Sequence, residues 1–147
     1  MKDDYIPEFH GDRPDCNAIS ATTLAFVGDA VQTLFVRTRL SLTHGEKSGY
    51  LHRLAAAEVS ATAQAAAFRR IEPILTEAEE AVFRRCRNAK TNTVAKHASI
   101  GDYRIATGFE GLIGWLYLQD GHARLNELLA CAYPSERDPE TRKRGAE

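Results

Sequence analysis

The sequence predicts an all-α domain, a helical bundle, on three observations. Apolar residues recur at helical spacing over long stretches, as Leu24, Val27, Val31, Leu34 and Phe35 do. An alanine-rich run at 51–71 has high helix propensity. The boundaries carry helix punctuation rather than hairpin turns, and no segment reads as a strand. A length of 147 residues suits one domain with a proper core.

Residues 1–17 hold Pro7, Pro14 and scattered acids and read as an irregular acidic leader. The domain proper is expected over 18–134. Its first helix starts at Ser20 or Thr22, either of which can cap it, and runs to about 42. Ala25, Phe26 and Val36 make it apolar nearly all round, which predicts a buried helix. HGEKSG, 44–49, is a turn, and 51–71 is one helix with small faces that ends at Pro73. Thr76 and Glu79 form a capping box for a helix to about 87, with acids first and bases last. NAKTNTVAKHASIGD, 88–102, reads as a long basic loop. A second apolar helix is expected at 104–119, a break at Gly121, a short helix at 122–132 and a charged tail over 135–147.

The formal net charge is −1, but it is unevenly spread. Residues 1–15 carry five acids against two bases, and 84–104 carry six bases against one acid. Three dispersed cysteines, Cys16, Cys86 and Cys131, fit no zinc pattern and read as free thiols in a reducing compartment. No apolar run is long enough to span a bilayer, and the first residues lack a signal-peptide core. A soluble cytoplasmic protein with no membrane partner is expected.

Two acids stand out. Asp29 lies inside LAFVGDAVQTLFVR, 24–37, directly after Gly28, a residue that costs a helix about 1 kcal/mol relative to alanine. Close approach of a neighbour accounts for that glycine. Glu110 repeats the pattern among Gly108, Gly111 and Gly114. If the two helices meet at their glycines, both carboxylates converge on one hard cation such as Mg²⁺. Pairing of Asp29 with a buried base, and a solvated Glu110, remain open on the residues alone.

These stretches resemble the ribonuclease III catalytic domain. LAFVGDAV is similar to its signature helix, and FEGLIGWLYL to its second acidic helix. The closer resemblance is to Mini-ribonuclease III, a branch made of the catalytic domain alone. It extends through LHRLAAAEVSATAQA, RCRNAKTNTVAKHAS and YRIATGFEGLIGWLYL in the same order. The broader family has a glutamate where Ala25 stands and an acid where Thr107 stands; the Mini branch shares both departures, which leaves the number of ions per site open. The thirteen residues after Pro134 are too few for a separate RNA-binding domain, so the catalytic domain is expected to grip its own substrate.

The resemblance implies a metal-dependent endoribonuclease acting on double-stranded RNA, typically a large-subunit ribosomal RNA precursor, as a homodimer. It leaves room for a ribosomal protein or assembling subunit as partner. Asp29 and Glu110 then serve as catalytic residues and Mg²⁺ ligands. Arg84, Arg85, Arg87, Asn88, Lys90, Thr91 and Lys96 are the candidate RNA contacts, by phosphate neutralisation and hydrogen bonds to phosphate or 2′-hydroxyl. His52, His97 and His122 show no ligand spacing. The rival functions are a non-catalytic RNA-binding module of the same fold and a helical scaffold.

Overall fold

The computed structural model describes residues 15–44, 47–89 and 99–134, and six helices follow one another there. They are α1 (Ala21–His44), α2 (Ser48–Glu58), α3 (Ala61–Ile71), α4 (Glu77–Arg87), α5 (Ile100–Leu118) and α6 (His122–Ala132). A 3₁₀ turn, Cys16–Ala18, precedes α1, and another, Glu72–Ile74, joins α3 to α4. No strand occurs among the described residues, as the helical periodicity predicts. The leader up to 14, residues 45–46, the stretch 90–98 and the tail 135–147 lie outside them.

Local chemistry sets most of the boundaries. Ser20 Oγ accepts from the Thr23 amide at 3.2 Å and opens α1. The capping box of α4 is complete: Thr76 Oγ accepts from the Glu79 amide at 3.2 Å, and Glu79 Oε1 from the Thr76 amide at 3.0 Å. Glu79 is itself buried, and Arg124 on α6 donates to both of its oxygens, holding its carboxyl below the usual range.

Two of these boundaries need correction. The alanine-rich run is two helices, broken at Val59 and Ser60. Ser60 Oγ takes the Ala63 amide, and the freed Val59 carbonyl accepts from the Gln64 side chain at 2.9 Å. The loop expected up to 102 already ends at Ser99, whose hydroxyl accepts from the Asp102 amide at 3.0 Å and starts α5 four residues early. At its other end α5 stops at Leu118, and Gly121 is the N-cap residue of α6, with Asp120 between them left-handed at φ 61°.

The axis of the bundle is α5, packed by α1, α3, α4 and α6. Its buried residues run almost all round, from Ala106 through Phe109, Leu112 and Ile113 to Leu116. Phe68 of α3 stacks on Phe83 of α4 with ring centroids 3.8 Å apart, and Phe109 lies 5.9 Å from Phe68. Leu125, Leu128 and Leu129 close the core from α6. The 3₁₀ turn also belongs to this core: Cys16 is buried, and Trp115 Nε1 donates to Asn17 Oδ1 at 3.2 Å.

The helix expected to be buried all round has one open side. Leu24, Ala25, Gly28, Val31, Gln32, Val36 and Leu40 of α1 face inward. Phe26 is 79% exposed and Leu34 44% exposed, with the exposed Ala30 between them on the same side.

Candidate active site

The site lies where α1 crosses α5, and two glycines set the crossing. A Cβ on Gly28 would fall 1.6 Å from the backbone oxygen of Glu110. A Cβ on Gly114 would fall 2.0 Å from the backbone oxygen of Leu24. Any side chain at either position would collide with backbone that cannot yield. The helix-weakening Gly28 is therefore the condition for backbone contact between the helices, as its place beside Asp29 suggested.

That contact puts the two acids together. Asp29 follows Gly28 directly and is exposed, whereas Glu110, whose carbonyl Gly28 touches, is half-buried. Burial pushes the Glu110 carboxyl up to about 7, the Gln64 amide pulls it back, and the negative charge of Asp29 adds to the rise. The two carboxylates thus act on each other across the seam. Asp29 is exposed, which is not the setting of the buried ion pair left open on the residues alone.

Gln64 completes the floor of the site. It is 3% exposed, and its Nε2 donates to Glu110 Oε1 at 3.1 Å as well as to Val59 O. Its Oε1 is buried with no partner among the described residues. Two carboxylates are hard oxygen donors, the chemistry of Mg²⁺ rather than of a soft metal. Among the described residues no cluster of three or more His, Cys, Asp or Glu surrounds a common point.

The ribonuclease III domain family matches residues 22–121 of the chain, a span that includes both acids and the whole seam. The chain belongs to that family. Mini-ribonuclease 3 of Symbiobacterium thermophilum is 46% identical over 110 residues, 75% of this chain and 85% of the relative. Mini-ribonuclease 3 of Enterococcus faecalis is 42% identical over 117 residues, 78% of this chain and 89% of the relative. A crystal structure of a Fusobacterium nucleatum protein superposes with a TM-score of 0.70 at 28% identity, covering 78% of this chain and 92% of the other.

In this ribonuclease III domain the candidate RNA contacts divide. Arg84, Arg85, Arg87 and Asn88 cluster at the end of α4; Lys90, Thr91 and Lys96, like His97, lie outside the described residues. Arg84 is exposed and paired with Glu80 one turn away. Arg85 donates to the Ile19 carbonyl at 2.9 Å and so anchors the segment before α1. Arg87 lies over the Phe83 ring, 5.6 Å from its centroid, and donates to Asn88 Oδ1 at 3.2 Å. Cys86 between them is fully buried, with its thiol pushed up by burial, which makes it a packing residue and no nucleophile.

Gln64 is the site residue that the sequence reading passed over. Its signal was present: with Phe68 and Ile71 it falls on the buried stripe of α3, where an amide has to be explained. No described helix is long and apolar enough to cross a membrane.

Proposed function

We propose that this ribonuclease III domain is a Mg²⁺-dependent endoribonuclease that hydrolyses phosphodiester bonds of double-stranded RNA, with Asp29 and Glu110 as its catalytic acids and metal ligands. The observation that supports the reading is the Gly28–Glu110 backbone contact, beside which the charge of Asp29 acts on the Glu110 carboxyl. Asp29 and Glu110 would hold a divalent cation there, which would supply Lewis-acid activation of water and charge neutralisation at the phosphate. Asp29 contributes an exposed carboxylate on the solvent side, where a phosphodiester can approach. Glu110 contributes a carboxylate whose ionisation burial opposes, so that it favours a cationic partner over water.

The end of α4 supports an RNA surface. Arg84, Arg85, Arg87 and Asn88 project there, immediately before Lys90, Thr91 and Lys96 in the chain. Contacts of this kind are made to phosphate and 2′-hydroxyl and read A-form shape more than sequence. A homodimer is supported by the open side of α1, where Phe26, Ala30 and Leu34 form a stripe that water meets in a lone subunit. The large-subunit ribosomal RNA precursor as substrate, and a ribosomal protein or assembling subunit as partner, rest on the likeness to Mini-ribonuclease III.

The test is cleavage of a long RNA duplex by the purified protein with and without Mg²⁺, comparing the wild type with Asp29→Asn. Metal-dependent cutting that disappears in the variant, while duplex binding persists, is the expected result. Tight duplex binding by a wild type that never cuts would replace the enzyme with a non-catalytic RNA-binding module.

A further inference from the structure

We propose that Gln64 is the positioning residue of the acid pair: its carboxamide nitrogen, anchored on the Val59 carbonyl, orients Glu110. The inference rests on the reading of Asp29 and Glu110 as a divalent-cation site.

The orientation of the amide is determined by its surroundings. One end of Gln64 faces two acceptors at once, the Val59 carbonyl at 2.9 Å and Glu110 Oε1 at 3.1 Å. Only the NH₂ end can satisfy both, so the nitrogen lies there and Oε1 lies opposite. The Val59 carbonyl is free to accept because the chain breaks between α2 and α3 at that point. The break, which a continuous alanine-rich helix would not need, thus supplies a fixed backbone anchor for the side chain that holds Glu110. A glutamine tethered at one acceptor presents its second N–H to the carboxylate with little freedom left to lose.

Gln64 is 3% exposed, and an apolar side chain in its place would leave both the Val59 carbonyl and the Glu110 carboxylate without this donor. Gln64 would then act on a ligand of the ion without coordinating it, in the manner of outer-shell residues whose loss costs about 10–100-fold in metal affinity.

The experiment uses the full chain without RNA and follows free Mn²⁺ by electron paramagnetic resonance. Wild type, Gln64→Met, Gln64→Leu and Asp29→Asn are titrated, with circular dichroism melts to establish the folded fraction. The expected result is binding by the wild type, loss in Asp29→Asn, and roughly 10-fold weaker binding in both Gln64 variants. A Mg²⁺ titration of duplex cleavage should move its half-saturation point by a similar factor, a change that mere loss of folded protein cannot produce. Unchanged Mn²⁺ affinity in the Gln64 variants, beside loss in Asp29→Asn, overturns the role of Gln64 and leaves the metal site standing. No Mn²⁺ binding by the folded wild type overturns the metal site and this inference with it. Failure of both Gln64 variants to fold assigns the residue to the scaffold and overturns the inference alone.

Discussion

Glu110→Gln is expected to make the metal-free protein more stable, and only above a definite pH. Burial, with the charge of Asp29 acting the same way, raises the Glu110 carboxyl from 4.5 to about 7 despite the opposing Gln64 hydrogen bond. The folded chain therefore binds a proton that the unfolded chain releases, and stability falls as pH rises between those values. Below about 4.5 the group is protonated in both states and the substitution changes little. Above about 7 it is ionised in both, and the whole cost of the buried charge is present. The shift corresponds to about 3 kcal/mol, and solvent screening at a half-buried group reduces that to roughly 2 kcal/mol.

The assay is a series of thermal melts in EDTA at about pH 4.5, 6 and 8, windows chosen from the pKa shift itself. At the highest pH Glu110→Gln should melt roughly 5–10 °C above the wild type. At the lowest pH the two should coincide. Equal melting temperatures at the high-pH end, or a gain of the same size throughout, would refute the buried-charge account of Glu110. Added Mn²⁺ extends the same reasoning. It should raise the wild-type melting temperature at high pH by stabilising the ionised form, and leave Glu110→Gln nearly unmoved.

Gly28→Ala should destabilise the fold by about 3 kcal/mol or more, because its methyl group enters the Glu110 carbonyl and separates α1 from α5; a urea titration showing a loss under about 1 kcal/mol would contradict the backbone contact. Phe26→Asp places a charge on the open stripe of α1 and should convert a dimer into a folded monomer in sedimentation equilibrium; a dimer that survives would move the interface elsewhere. Charge reversal at Arg87 and Lys90 should weaken duplex binding and flatten its salt dependence by about two units of slope, and an unchanged filter-binding titration would remove the end of α4 from the RNA surface.

What could be read along the chain was what local chemistry decides. Thr76 and Glu79 satisfy each other within one turn, so the start of α4 followed from four consecutive residues. The break between α2 and α3 did not, because Ser60 sits in a run of strong helix formers and the side chain that takes the Val59 carbonyl comes from Gln64, five positions on. The early start of α5 was lost in a stretch without a clear hydrophobic period, although Ser99 with Asp102 gives the ordinary cap. The open side of α1 was misread for a different reason. Hydropathy reports that Phe26 and Leu34 avoid water and is silent on whether their own core or another surface covers them.

The acids show where legibility stops and why. A glycine inside an apolar helix announces that something approaches the backbone, and Gly28 and Gly114 each announce it. Neither says what approaches. That they face α5 and α1 respectively is a property of the packed bundle, and with it comes the consequence for chemistry: the contact that closes the core also sets the separation of Asp29 and Glu110. Stability and the site are therefore coupled at Gly28 and opposed at Glu110. A larger residue at Gly28 would lose both the packing and the juxtaposition, whereas neutralising Glu110 should strengthen the fold and remove the site. A chain selected for stability alone would keep the glycines and discard the buried acid. This chain keeps both, and ties Glu110 to a second buried polar side chain, Gln64. Two unfavourable groups hydrogen-bonded to each other at one open seam are the pattern that a binding requirement leaves on a structure.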